Sequence, residues 1–198
     1  MSETETATTT ADTATPAAVA DRYERLAADF AATIALVPAD GWESPSPCEG
    51  WTARDVVAHI VENHGMFEGW VGRDLGDVPS VDEDPAATFA AARTVVAGHL
   101  RDPEAAAASF EGVVFGHMTF TQAIDRFIAS DLVIHRWDLA RAAGVDVMLP
   151  PDEVARIRRE ADGFGEHLRG PGAFGAELTP PEGADEQTAF LCFLGRQV

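Results

Sequence analysis

Asp131 and His135 constrain this chain more than any other pair of residues. They stand four apart in Asp131-Leu132-Val133-Ile134-His135-Arg136-Trp137-Asp138-Leu139-Ala140, within a stripe that runs Ile124, Phe127, Ile128, Asp131, His135, Leu139 and Ala142. That spacing is helical, and it puts two ionisable groups on the apolar face. A carboxylate there is costly unless it is paired, hydrogen-bonded or bound to a cation. The fold must therefore bring something up against this helix to receive the pair.

The rest of the chain offers helices for that purpose. Thr15-Pro16 reads as an N-cap followed by proline at the first helical position. The helix it opens carries Val19, Tyr23, Leu26, Phe30 and Ile34 on one face and runs to about Leu36, before Pro38 and Gly41. Thr52-Ala53-Arg54-Asp55 resembles a capping box with Asp in place of Glu. A second helix follows it to about Arg73, with Val56, Ile60, Asn63 and Phe67 on one side. A third opens at Asp84-Pro85 and runs to about Leu100, with a short helical turn expected within 102–109. The fourth, about Thr119 to Ala143, holds Asp131 and His135 and ends at Gly144. Val113 to Met118 reads as a connection, too short in apolar residues to indicate a sheet. Further helices are expected at about Asp152 to Leu168 and Asp185 to Leu194. Four long amphipathic helices predict an all-α fold, a four-helix bundle with a short C-terminal helical extension. Residues 1–15 are Thr, Ala and acidic residues without aromatics, and are expected to be a disordered tail before a single domain over 16–198.

Composition narrows the partners. The formal net charge is −19, from 33 acidic and 14 basic residues, and every basic residue is arginine. So acidic a surface repels phosphate backbones and anionic lipid heads, so neither nucleic acid nor membrane is expected as a partner. The same acidity and lack of lysine suit both a GC-rich genome and salt adaptation. There is no basic-then-apolar leader and no run near the roughly twenty apolar residues of a membrane span. Cys48 and Cys192 form no paired motif, and a reducing cytoplasm is the expected location.

Two side chains able to ligate a metal, side by side on one helix, are half of a metal site; they are equally the parts of a buried ion pair. His59, in Asp55-Val56-Val57-Ala58-His59-Ile60-Val61, could supply a further donor from a second helix, although a lone core histidine is more often simply hydrogen-bonded. Two imidazoles and one carboxylate match the ligand count of an open zinc site and of a non-haem iron triad. Asp138 could orient His135 as a hydrogen-bond acceptor, or could be a helix-surface carboxylate near Arg141.

The stretch Pro47-Cys48-Glu49-Gly50-Trp51-Thr52-Ala53-Arg54-Asp55-Val56-Val57-Ala58-His59 resembles the loop and second helix of the DinB-like metal-binding proteins. It is most similar to their actinobacterial branch, which holds the metal-binding domain of mycothiol-dependent maleylpyruvate isomerase. The 131–140 segment resembles the second signature of that branch, and Phe190-Leu191-Cys192-Phe193-Leu194-Gly195-Arg196 resembles its usual close. The resemblance covers most of 17–196. It implies a four-helix bundle holding a divalent metal, zinc first and nickel or iron next, on His59, Asp131 and His135. It also implies a low-molecular-weight thiol and an electrophilic substrate as partners, with S-transfer or isomerisation as the reaction. A homodimer is compatible with it. The isomerase carries Glu at the position of Asp131, and a separate C-terminal domain for which 198 residues leave no room, so maleylpyruvate itself does not carry over. Val56, Asn63, Phe127 and Ile128 flank the ligands at helical spacing and are the expected walls of the electrophile's cavity. Two rival readings are a non-catalytic metal-binding or stress-related module and a metal-free bundle.

Other motifs carry less. His64 points away from His59 around the helix, His117 reads as a loop residue, and His99 and His167 lie near helix ends. Cys48 and Cys192 read as packing residues. Gly170-Pro171-Gly172-Ala173-Phe174-Gly175 spells a dinucleotide fingerprint but lacks the preceding strand, so it reads as a loop. Arg156, Arg158 and Arg159 read as one solvated helix face.

Overall fold

The computed structural model describes residues 14–112, 116–161, 168–169 and 174–198. The expected tail therefore lies almost wholly outside the described residues, as do His167 and much of the 170–175 loop. The chain is mostly helical. α1 (Pro16–Ile34) starts as its sequence directs: Thr15 accepts from the Ala18 amide at 3.3 Å and Pro16 occupies the first turn. α2 (Ala53–Trp70) opens on the capping box, with Thr52 and Asp55 each receiving the other's backbone N–H. The shorter Asp therefore closes the box as Glu would. α3 (Pro85–Arg101) is capped by Asp84, and a short α4 (Pro103–Ala107) by Asp102.

One expectation fails next. Where a plain connection was predicted, β1 (Ser109–Gly112) and β2 (Gly116–Thr119) pair antiparallel, with Phe110 opposite Met118. These two side chains are buried while their neighbours Ser109, Glu111 and His117 face solvent. A ribbon this short leaves one apolar residue per strand, too little alternation to announce itself in the sequence.

α5 (Phe120–Ala123) begins the predicted fourth helix on a Thr119/Gln122 capping box. The helix does not stay α-helical. Ile124–Ile128 form a π turn before α6 (Ala129–Ala142). Such turns insert one extra residue into a helix, and they concentrate near functional sites. Gly144, at φ +72°, ends the run. α7 (Pro151–Ala161) and α8 (Glu186–Phe193) complete the described helices.

α1 packs on α3 and α6, and α2 packs on the same two helices. Their shared core holds Tyr23, Phe30, Ile60, Phe89, Ile124, Ile128, Leu132 and Leu139, all essentially without solvent contact. α7 is tied on by charge as well as by Val154 and Ile157. Buried Glu153 receives Arg22 and Arg25, and Arg22 also donates to Asp125 Oδ1 (2.8 Å) in the π turn. Arg156 reaches Asp125 and Glu160, while Arg158 lies 4.1 Å over the Phe193 ring. Arg156 is thus part of a structural seam, while Arg158 and Arg159 are exposed on the solvated face expected. Among the described residues no helix is long and apolar enough to cross a membrane.

Candidate metal centre

α2 and α6 each present an i, i+4 pair to the same space: His59 and Asn63 from one, Asp131 and His135 from the other. All four line a cavity of about 380 Å3 whose remaining wall is largely apolar, including Met66, Phe67, Trp70, Phe127, Ile134 and Ile157. His59 Nε2 and Asp131 Oδ2 are 3.8 Å apart. The Asn63 amide sits between them, donating to Asp131 Oδ2 (2.9 Å) and meeting His59 Nε2 at 3.0 Å. An amide NH2 can only donate, so His59 Nε2 presents a lone pair there. Burial and the positive charge of His135 lower the His59 pKa, against the pull of Asp131 and Asp138, which keeps that ring neutral.

His135 is held differently. Its Nδ1 is 2.9 Å from Asp138 Oδ2, and a carboxylate only accepts, so Nδ1 carries a proton and Nε2 is the atom that would meet an ion, on release of the proton it holds while the ring is charged. Burial presses the His135 pKa down, but Asp138, the Cys48 sulfur and the charge of Asp131 together outweigh it and raise it. Asp138 is fully buried. Burial alone would raise its pKa; hydrogen bonds and charge from His135 and Arg196 reverse this and hold it as a carboxylate. The helix-surface alternative for Asp138 is therefore excluded, and Arg141 pairs with Asp146 instead. The His59 and His135 rings meet edge to face at 4.9 Å, with Trp51 against both, at 4.8 Å and 5.8 Å.

Among the described residues, three donors that all lie within 4.8 Å of one another are Cys48, His135 and Asp138; His59, Asp131 and His135 do not close into so tight a group. The tight group is nonetheless the poorer cation site. Arg196 donates twice to Asp138, at 2.9 Å each, and its Nη2 is 3.3 Å from Cys48 Sγ. A guanidinium already occupies the charge position a metal would take, and a second cation there would be repelled. His59, Asp131 and His135 fit a divalent ion by the chemistry of their donors. A neutral imidazole and a carboxylate converge on one point, filled by a replaceable amide, and a second imidazole is oriented from behind by a carboxylate.

Of the four expected cavity residues, Asn63 and Phe127 line it. Val56 and Ile128 do not: both are fully buried in the helical core. Ile128 is the next residue after Phe127 in the π turn, faces a different side of the helix and turns inward. Val56, a turn before His59, does likewise. His64, the non-ligand, is buried and fully engaged, with Nδ1 2.6 Å from Ile60 O and Nε2 2.8 Å from the Tyr23 hydroxyl. His99 is no mere end-of-helix residue, since it meets the buried Glu68 at 2.9 Å. His117 is exposed, in β2, beside Glu111. Cys192 is core as expected, whereas Cys48 is not a packing residue: its thiol donates to Asp138 at 3.2 Å. Trp51 and Arg196 were also missed as parts of the site. The Gly-Trp pair just before a capping box and the Gly-Arg pair just after a helix were the available signals.

The fold and site together define a mostly helical protein with a cavity walled by imidazoles and a carboxylate from two helices. The family model for the mycothiol maleylpyruvate isomerase N-terminal domain matches residues 23–140, and the chain belongs to that family. It is also similar to two proteins of Mycobacterium tuberculosis, Uncharacterized protein MT0763 of strain CDC 1551 / Oshkosh and Uncharacterized protein Rv0738 of strain ATCC 25618 / H37Rv. Each is 30% identical over 181 residues, which span 89% of this chain and 96% of the relative. No solved structure matches this chain.

Proposed function

We propose that the chain is a divalent-metal-binding four-helix bundle of the DinB-like kind, a single domain from residue 16 onward, that joins a low-molecular-weight thiol to an electrophile in the α2–α6 cavity. The observation that carries this reading is the facing of His59 and Asn63 by Asp131 and His135, with the far side of His135 already committed to Asp138. His59, Asp131 and His135 would hold the ion, zinc by preference, and leave coordination positions open. When bound, such an ion lowers the pKa of a thiol ligated to it and supplies a nucleophilic sulfur near neutral pH.

The chain's own residues do the rest. Asp138 fixes the tautomer of His135 and raises its basicity as a ligand. Asn63 holds the His59 nitrogen and the Asp131 oxygen aligned until they are claimed. Met66, Phe67, Trp70 and Phe127 give the electrophile an apolar berth beside the sulfur and keep water off it. The family description supports mycothiol as the thiol, and the reaction as transfer to, or isomerisation of, a small electrophile.

The test is a cobalt-substituted protein titrated with small thiols. A new sulfur-to-cobalt charge-transfer band, absent from His59→Ala, is the expected result. Fully metallated protein that shows no band with any of several biological thiols would rule out the thiol chemistry. Elemental analysis showing no metal retained by wild-type protein would rule out the site.

A further inference from the structure

Behind His135, Asp138 meets Arg196, a cavity-lining residue to which the proposed chemistry gives no role. Asp138 Oδ1 and Oδ2 receive Arg196 Nε and Nη2, each at 2.9 Å, while Oδ2 also receives His135 Nδ1. Arg196 comes from the far end of the chain, 58 residues on from Asp138. We infer that Arg196 is a positioning residue for the metal centre: it clamps Asp138 as a fixed carboxylate and, through it, holds the His135 ring with Nε2 available to the ion. This rests on the metal reading above.

Three observations support it. First, the contact is bidentate. A planar guanidinium spanning both carboxylate oxygens fixes the plane of Asp138 as well as its charge, which a single point charge cannot do. Second, Asp138 is fully buried and the Arg196 side chain is 12% exposed, so the pair is shielded from solvent and screened little by salt. Third, the backbone is built to deliver Arg196 to this spot. The Arg196 N–H bonds to Leu191 O (2.9 Å) and the Gly195 N–H to Cys192 O (3.0 Å), the paired bonds of a Schellman cap at the end of α8. Gly195 sits at φ +82°, and a Cβ there would fall 2.8 Å from Ala176 O and from Gly175 C. Only glycine permits the turn that brings Arg196 back over Asp138.

An arginine that merely braced the fold would affect stability and leave the ligand's behaviour alone. A positioning arginine must act on His135, and only by way of Asp138. The first readout needs no metal. In the wild-type protein the His135 Nδ1 proton, hydrogen-bonded to Asp138, is expected as a downfield, exchange-protected NMR resonance. Arg196→Met should broaden or remove it, and Arg196→Lys should retain it in part. The second readout is zinc affinity in a double-mutant cycle. Arg196→Met should weaken zinc about 10- to 100-fold, as loss of a partner behind a ligand typically does. In an Asp138→Asn background it should add less than about 3-fold, because the path it acts through is already cut. Asp138→Asn with Arg196→Met removes both charges together and avoids an orphaned buried carboxylate; should Arg196→Met alone not fold, Arg196→Lys takes its place in the cycle. Equal losses in both backgrounds, or an unchanged Nδ1 resonance in a folded variant, overturn the inference. If the wild-type protein binds no zinc, the metal reading fails, and the resonance alone decides whether Arg196 governs His135.

Discussion

Two histidines of α2 stand five residues apart and have opposite fates. His64 is buried with both ring nitrogens engaged inside the core, by Ile60 O and the Tyr23 hydroxyl. His59 borders the cavity, and its Nε2 meets only the Asn63 amide, 3.8 Å from a carboxylate oxygen. The two share a helix but not a depth: His64 is fully buried, and His59 is part-exposed at the cavity wall. What also separates them is whether the lone pair is spent. A hydroxyl and a carbonyl consume His64 completely, whereas His59 keeps a lone pair directed at the same point as Asp131. A ligand histidine is marked here by a ring nitrogen whose lone pair no hydroxyl or carbonyl claims.

The largest expected effect sits on the His59 side. His59→Ala or His135→Ala should lower zinc affinity by at least about 100-fold, since two remaining ligands seldom make a tight site. His64→Ala should leave zinc affinity within about 3-fold while costing about 2–4 kcal/mol of stability, from the cavity and the orphaned Tyr23 hydroxyl. Calorimetric zinc titrations and urea melts measure both. A His64→Ala protein that loses zinc without losing stability would erase the contrast.

The next effect sharpens the His64 side. Burial lowers its pKa from 6.5 to about 4, partly opposed by the bond to Ile60 O. The unfolded chain therefore takes up a proton at a pH where the native protein refuses it. The stabilising contribution is present in full above pH 6.5 and is lost as pH falls towards about 4. The loss over that window is about 3 kcal/mol, by the equivalence of pKa shift and free energy. Chemical denaturation at stepped pH should show it, and His64→Gln should flatten that slope. An identical slope in the variant would assign the acid sensitivity elsewhere.

The smallest effect belongs to Asn63. Its amide occupies the point where the two donors converge, so Asn63→Ala should change zinc affinity by less than about 5-fold. A loss as large as that of His59→Ala would make Asn63 a holder of the site instead of its placeholder.

The sequence made the helices legible because their ends are local chemistry. Thr15-Pro16, Thr52 with Asp55, and Asp84-Pro85 each satisfy orphan amides within one turn, and each opens a helix where it was expected. The expected facing of His59, Asp131 and His135 rested on the two signature motifs of the family resemblance as well as on the apolar stripes around them. Cys48 and Arg196 stayed hidden because no period links them to the site. They arrive from a proline-rich loop and from the end of the chain, 87 and 58 residues from the His135 and Asp138 they touch. The two misplaced cavity residues have another cause. Helical spacing tells which residues are near a ligand; which of them turns towards the empty space depends on how neighbouring helices close over it. The π turn at Ile124–Ile128, on the same helix as the ligands, had no sequence signature at all.

The cavity is drawn from two stretches of the chain, one on each side of residue 140. The proposed ligands His59, Asp131 and His135 come from within 23–140, the span matched by the isomerase domain family, whereas Ile157, Ala161, Leu168 and Phe174 cover the cavity from beyond that span, beside the polar Glu160 and Arg196. The reactive floor and the roof are separately editable. Substitutions at apolar cover residues such as Ile157, Ala161 or Phe174, which leave Arg196 and its hold on Asp138 intact, can reshape what is admitted while the donors stay put, so one centre can be fitted to a range of guests by redrafting its cover.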